Sequence, residues 1–332
     1  MAQTTTVTFF FRKPREGAYS IEILFNTVQQ QLKGKIGINN QYMTCQSSGF
    51  KNRLLLLKEA AKKKGEINHV TGDINFITLA LPKNKSILTI HDIESLERQG
   101  GLAAKLLYYF WLVLPAKAVA KITVVSEHTK SQLLKKVIVD PEKVIVIPNP
   151  VSEIYQYTPK PFRNEKPHLL QVGTKYNKNL EKLIPAIAGL DCQLTIIGKL
   201  SDAQIQLLRL HKIEYVNKAG LSNEALLLEY IQADIITFVS TFEGFGMPII
   251  EANAVGRAVV TSNTGAMAEV GAEAAMLVDP ENVADIRRGI LEIIENNELR
   301  ERLVKNGIAN VKKYRPEIVA ARYLELYESM LS

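Results

Sequence analysis

Cysteine is nearly missing from this sequence: Cys45 and Cys192 are the only two in 332 residues. They lie far apart, with no CxxC spacing and no histidine cluster beside them, so a disulfide framework or a zinc site is not expected. Long apolar runs are also lacking. No stretch approaches the roughly 18 uninterrupted apolar residues of a membrane span. The start, Met1-Ala2-Gln3-Thr4-Thr5-Thr6, carries no basic residue, and the apolar run Val7 to Phe11 is too short for a signal peptide. A cytoplasmic protein is the expectation. Basic strands interleaved with aromatics are missing, and so is any recognised nucleic-acid module, which leaves nucleic acid out as a partner.

What is present is length and apolar content. A chain of 332 residues exceeds what one core usually serves, and 46% apolar residues can pack two domains. The net charge of +7 is concentrated at Arg12-Lys13-Pro14-Arg15, at Lys58 with Lys62-Lys63-Lys64, and at Lys135-Lys136. Such runs usually form solvated faces; the functional reading is attraction to an anionic membrane surface or an anionic acceptor.

Along the chain, short apolar runs alternate with helical periodicity. Val7 to Phe11 reads as a buried strand, followed by a helix from Ser20. The loop between them holds one glycine, Gly17, so it is no dinucleotide fingerprint, although it can rim a substrate cleft. A helix over 54–64, strands over 67–70 and 86–90, a helix over 102–120 and strands over 121–125 and 143–147 follow. Pro148-Asn149-Pro150 breaks the pattern, and the proline-rich 151–167 reads as a linker. The alternation then restarts with strands over 168–172, 194–198, 213–216, 235–239 and 258–261, and the tail is helical. Two parallel-sheet α/β domains facing each other across a cleft are the predicted architecture.

Ligands of open parallel sheets bind beyond the carboxyl ends of the strands. His91-Asp92 and His69 with Thr71-Gly72-Asp73 read as such positions. The most informative stretch is Ser240 to Glu251. Gly244 and Gly246 let backbone approach a bound group, and Pro248 fits a first helical turn. Free N–H groups and a helix dipole there favour an anion such as a diphosphate. Glu243 and Glu251 frame the loop, and a carboxylate beside an anion needs another task. Accepting hydrogen bonds from sugar hydroxyls is one, since an ionised carboxylate is a pure acceptor. A solvated loop glutamate and a helix-surface charge fit this stretch equally well.

The order and spacing of several motifs carry a resemblance. They are His91-Asp92, Val125-Ser126-Glu127, Ile147-Pro148-Asn149-Pro150-Val151, Val172-Gly173-Thr174 with Lys178-Asn179, and Glu243-Gly244-Phe245-Gly246-Met247-Pro248 closing on Glu251, with Gly256 and Asp279-Pro280 beyond. In these the chain resembles the retaining GT-B glycosyltransferases of family 4, with their E-x7-E motif. The resemblance implies an acceptor-binding Rossmann-like domain over 1–155, a donor-binding one over 160–315, and a helix over 316–332 crossing back to the first. It implies transfer of a sugar from a UDP- or GDP-sugar to a glycan or lipid-linked acceptor in surface polysaccharide synthesis, with no cofactor and no metal.

The same resemblance implies roles for residues. Glu243 contacts the donor sugar and Glu251 the ribose. Backbone N–H groups of Phe245, Gly246, Met247 and Ile249, around Pro248 and beside Gly244, hold the diphosphate, with Gly173 and Lys178. Thr174 stands where many members carry Arg, and Lys175 is near enough to substitute. Asn217 and Lys218 match the region touching the base. His91 lies near the reacting carbon, and His69 is left as an acceptor-side residue. Two other readings stay open: a nucleotide-sugar epimerase of the same fold, and a non-catalytic glycan- or nucleotide-binding protein. The sequence leaves base, sugar, linkage and oligomeric state undetermined.

Overall fold

The computed structural model describes residues 5–14, 20–93 and 106–331. It divides into two compact units, one formed by Met1–Pro150 with Pro316–Ser332 and the other by Val151–Arg315. Each is built on a six-stranded sheet, and every strand pair is parallel. The α/β architecture read from the alternation is therefore present in both halves.

The first sheet holds β1 (Thr6–Phe11), β2 (Gly37–Tyr42), β3 (Ile67–Val70), β4 (Ser86–Ile90), β5 (Lys121–Val124) and β6 (Val144–Val146), in the order 2-1-3-4-5-6. β2 escapes the sequence pattern because it is an edge strand: Gly-Ile-Asn-Asn-Gln-Tyr is largely polar, and no residue in it is fully buried. β1 shows the doubly covered pattern. Val7, Phe9 and Phe11 enter one hydrophobic cluster while Phe10 enters another.

The cluster around Phe9 is closed by two helices. Ser20–Leu32 supplies Phe25, Val28 and Leu32, and the C-terminal helix Pro316–Glu328 supplies Val319, Ala320, Tyr323, Leu326 and Tyr327. The predicted helix over 102–120 is only partly as expected. Residues 94–105 lie outside the described part, Tyr109–Val113 is a π-helical stretch, and Leu114–Lys117 is α-helical.

The second sheet holds β7 (His168–Val172), β8 (Gln193–Ile197), β9 (Tyr215–Lys218), β10 (Ile235–Phe238), β11 (Ala258–Ser262) and β12 (Met276–Val278), in the order 12-11-10-7-8-9. β12 is three residues long, too short to read as a period. In both sheets the chain winds outward in opposite directions from two adjacent strands, β1 and β3 in the first and β7 and β10 in the second. Such a switch point opens a crevice at the carboxyl ends, where the two following loops diverge. Among the described residues no helix is long and apolar enough to cross a membrane.

Candidate functional site

In the second unit the loops after β7 and β10 meet at the switch point. β7 is followed by Gly173, whose φ is +94°. A Cβ there would stand 2.9 Å from both Cγ and Cε of Lys178, so glycine is what lets the lysine stem lie across the backbone. A 3₁₀ turn, Tyr176–Lys178, then leads into Asn179, held left-handed at φ 60°. Asparagine tolerates that conformation better than most residues. Its Nδ2 also donates to the carbonyls of Val239 and Pro280, pinning the turn between the ends of two strands.

This turn clamps the second loop. The Thr241 N–H donates to the Asn177 carbonyl, and Asn177 Nδ2 donates to the Phe242 carbonyl and to Glu243 Oε1 at 2.9 Å. Lys178 Nζ donates to the same Glu243 oxygen at 2.7 Å and lies 4.7 Å from the Phe238 ring centroid. Lys178 and Glu243 are each about one-fifth exposed. The pair is thus reachable from solvent yet shielded enough for its charges to act strongly. Glu243 is no solvated loop residue.

Beyond Glu243 the loop turns into the helix Met247–Val255 through Gly246 at φ +122°. Phe245 anchors the turn by packing edge-on against Tyr314 at 5.4 Å. One expectation is corrected here. The Ile249 N–H donates to the Gly246 carbonyl at 3.0 Å, so it is unavailable to a ligand. Pro248 has no N–H, and those of Phe245, Gly246 and Met247 have no partner among the described residues. The positive end of the helix dipole reinforces them.

Glu251 sits one turn further, where Tyr230 Oη donates to its Oε2 at 2.6 Å. Burial raises the Glu251 carboxyl to about 7, against the Tyr230 hydrogen bond and the Lys178 charge, which both pull it down. Tyr230 is fully buried on the helix Asn223–Gln232, and Tyr155 packs edge-on against it at 5.5 Å. The sequence reading missed Asn177 and Tyr230, and named Asn179 in a motif without giving it a role. Asn177 and Asn179 flank Lys178 and were legible as turn formers, whereas Tyr230 gives no local signal.

Other predicted residues serve the scaffold. Thr174 Oγ1 donates to the Lys199 carbonyl at 2.7 Å, so its hydroxyl braces the loop against the one after β8 rather than facing a diphosphate. Lys175 is exposed and has no side-chain partner among the described residues. Asn217 and Lys218 lie inside β9 rather than after a strand ending at Val216. Asn217 Nδ2 donates to the carbonyls of Ile196 and Gly198, and Lys218 Nζ is paired with Glu229 at 2.6 Å.

The first unit has its own switch point. Arg12, just after β1, pairs with Glu22 at 3.1 Å and with Asp73, which follows β3. Arg12 is therefore neutralised and adds nothing to a basic face. His91 follows β4; its Nε2–H donates to the Thr71 carbonyl at 2.8 Å, burial lowers its pKa, and Nδ1 is left as an acceptor. His69 is corrected from an acceptor-side residue to a core one. It is fully buried within β3, bonded to Tyr327 Oη at 2.8 Å and Thr89 Oγ1 at 2.7 Å, and burial lowers it to about 3. Gly17 lies outside the described residues.

Two family models match the chain, "Glycosyltransferase Family 4" over residues 46–153 and "Glycosyl transferases group 1" over residues 157–310. An uncharacterized glycosyltransferase of Methanocaldococcus jannaschii is 29% identical over 76% of this chain and 71% of its own length. The MMP alpha-(1->4)-mannosyltransferase of Mycolicibacterium hassiacum is 27% identical over 65% of this chain and 56% of its own. Among solved structures, sucrose-phosphate synthase from Thermosynechococcus elongatus superposes with a TM-score of 0.81 over 98% of this chain and 99% of its own, at 15% identity. The lipopolysaccharide glycosyltransferase WaaG does so at 0.74 over 97% and 99%, at 12% identity. The fold is that of the GT-B glycosyltransferases.

Proposed function

We propose that this chain, which carries both modules of a family 4-type glycosyltransferase, moves a sugar with retention from a nucleotide diphosphate donor to a glycan or lipid-linked acceptor. The observation that carries the reading is the second unit's switch point. A partly open ammonium paired with one carboxylate stands in the same loop cluster as three N–H groups unpartnered among the described residues and the start of a helix. That arrangement fits an anion flanked by hydroxyls.

In this reading the donor diphosphate lies over Gly246 and takes the N–H groups of Phe245, Gly246 and Met247. Lys178 Nζ shifts from Glu243 towards the phosphate oxygens and stabilises charge on the departing diphosphate. Glu243, released from the ammonium but still oriented by Asn177, accepts hydroxyls of the sugar. Glu251, oriented by Tyr230, accepts those of the ribose. Lys175, free at the rim, supplies a second cation in place of the arginine that Thr174 replaces. Preorganised donors of this kind are each worth about 3 kcal/mol in the transition state. As the resemblance implies, the bond breaks to a short-lived oxocarbenium-like ion pair, attacked by an acceptor hydroxyl on the face the diphosphate leaves, with the hydroxyl proton passing to a diphosphate oxygen. Leaving-group stabilisation comes from protein groups, and the reaction is expected to run without a metal.

Acceptor binding falls to the first unit, where Asp73 and His91 Nδ1 offer acceptors at the ends of β3 and β4. Relatives named as mannosyltransferases of O-antigen chains and of phosphatidyl-myo-inositol support a surface or lipid glycan as the product class. The test is a panel of sugar nucleotides screened by thermal stabilisation, then by turnover in excess chelator with analysis of anomeric configuration. One donor should stabilise the protein and be consumed with retention. Inversion, dependence on a divalent ion, or product formed without any acceptor would each overturn its part of the proposal.

A further inference from the structure

At the other end of the second sheet from the Lys178–Glu243 loops, a cavity of about 520 Å³ opens beside the helix Asn297–Asn310. Asp234 and Arg257, which line it, directly precede β10 and β11, so it lies at the amino ends of those strands. Its volume is that of a small-molecule site, roughly 300–1,000 Å³. Four cations line it, Lys160, Arg257, Arg300 and Lys305, against two carboxylates, Asp234 and Glu301.

The cations are poorly compensated. Asp234 is already committed to Lys160 and, at 3.1 Å, to Arg163. Arg257 and Arg300 are 4% and 7% exposed, and neither has a carboxylate within ion-pair distance among the described residues. Arg257 donates through its Nη groups to the carbonyls of Thr158, Ile231, Val255 and Gly256, and its buried Nε–H has no acceptor. Arg300 donates to the carbonyls of Ile293 and Ile294 and stacks on Phe162 at 3.8 Å. Helix C-termini supply those carbonyls, and each end carries only about half a negative charge. Lys305 stands exposed at the rim with no partner among the described residues. Buried charge without a counter-charge, and a buried N–H without an acceptor, are both costly.

We propose that this cavity binds a small phosphomonoester, which acts as an effector of the donor site. Such a group carries about −1.5 to −2 at neutral pH, which matches the surplus of two cations. A ring on the ester has an aromatic wall to lie against in Tyr157, 56% exposed and packed over Gly256. Arg257 supplies the coupling. It holds the carbonyls at the end of the helix Met247–Val255, which starts at the N–H groups assigned to the diphosphate and carries Glu251. It also holds Ile231, next to the Tyr230 that orients Glu251. An anion that draws on Arg257 therefore acts on both helices that present the Tyr230–Glu251 pair. The effector role rests on the transferase reading, whereas binding in the cavity does not.

The test titrates the full chain with phenyl phosphate, inorganic phosphate and phenol, by calorimetry and thermal shift, alone and with UDP or GDP. Phenyl phosphate should bind saturably and more tightly than inorganic phosphate, and phenol should not bind at the same concentrations. Lys305→Glu should weaken phenyl phosphate at least about tenfold, because a charge-assisted contact becomes a repulsion. Tyr157→Ala should remove the preference for phenyl phosphate over inorganic phosphate. Melting temperature checks that both variants fold, with Lys305→Gln and Tyr157→Leu as milder substitutes. Acceptor-free donor hydrolysis without phosphate ester should be unchanged in them. Phenyl phosphate and the nucleotide should bind together, each changing the affinity of the other by one common factor of about five or more.

Displacement of phenyl phosphate by the nucleotide overturns the proposal, because the ester would then occupy the donor site. So do full affinity in Lys305→Glu, equal binding of phenol, or no binding of phenyl phosphate. Simultaneous binding without mutual effect overturns the effector role. If neither nucleotide stabilises the chain and no donor is hydrolysed, the transferase reading fails, while the titration with phenyl phosphate alone still decides the cavity.

Discussion

The two switch points make a natural comparison. Each is bridged by an ion pair between the loops that diverge from neighbouring strands: Arg12 with Asp73 in the first unit, Lys178 with Glu243 in the second. Their surroundings differ. Arg12 is also held by Glu22, and both are about nine-tenths buried, so the guanidinium acts as a fixed strut. Lys178 has, among the described residues, one carboxylate partner, a neighbouring aromatic face and a partly open head, and the N–H groups in the neighbouring loop have no partner there. A buried charge held by two carboxylates, one of them buried with it, belongs to the scaffold, whereas one held by a single reachable partner beside donors unsatisfied among the described residues can be transferred to a ligand.

The largest test separates the units altogether. A chain ending at Arg315 loses Val319, Tyr323, Leu326 and Tyr327 from the cluster around Phe9 and Phe25. At roughly 1.5–3 kcal/mol for each large buried side chain, the first unit should not survive that loss. The second unit keeps its own core, so calorimetry should show one remaining transition that a nucleotide still raises. A single cooperative transition at the wild-type temperature would break the division.

Next come the two cations. Arg12→Met leaves Glu22 buried and unpaired and should cost about 3–5 kcal/mol of stability, read from denaturant titration. Lys178→Met should leave stability within about 1 kcal/mol, because its partner is reachable by water. It should lower kcat by about 10²–10³. Were Lys178→Met to destabilise the protein as Arg12→Met does while turnover persisted, strut and ligand would have been assigned the wrong way round.

Tyr327→Phe is smaller. It removes the partner of His69 Nδ1 in a fully buried site, at about 1–3 kcal/mol, with donor KM unchanged. A shifted KM would mean that the first unit's polar core reaches the donor.

The smallest effect is in pH. The Glu251 carboxyl is raised to about 7 by burial, so the empty fold favours its protonated form and loses that preference as pH rises through 7. The ribose hydroxyls are proposed to need the ionised form. Donor affinity should therefore be full above pH 7 and fall below it. Tyr230→Phe removes a hydrogen bond that lowers this pKa and should move the acid limb upward. An unmoved limb would show that Glu251 is not the titrating group.

How much of this was legible depends on where the signal lies. The strands before Gly173 and Glu243 are apolar runs, and Gly-Phe-Gly-Met-Pro marks a helix start by rules local to the chain. The glycine turns and the helix start are therefore legible from the order of residues, while Lys178, Glu243 and Glu251 took their roles from the family resemblance. The pairing of Lys218 was not legible the same way, because Glu229, its partner, lies on the following helix. His69 resembles Lys178 in sequence, a polar residue near the end of a strand, yet it lies inside β3 beneath the C-terminal helix.

By itself the sequence determined most of the elements, the edge strands β2 and β12 excepted, since the periods of two and 3.6 and the turn residues are properties of neighbouring positions. The parallel α/β class follows from the same local signals. The tertiary structure alone decided which charges were free. Burial and pairing depend on residues 61 to 258 positions apart, as with Arg12 and Asp73, Lys178 and Glu243, and His69 and Tyr327. The physical reason is that a charge or dipole responds to whatever stands within a few ångströms, and chain distance carries no record of that.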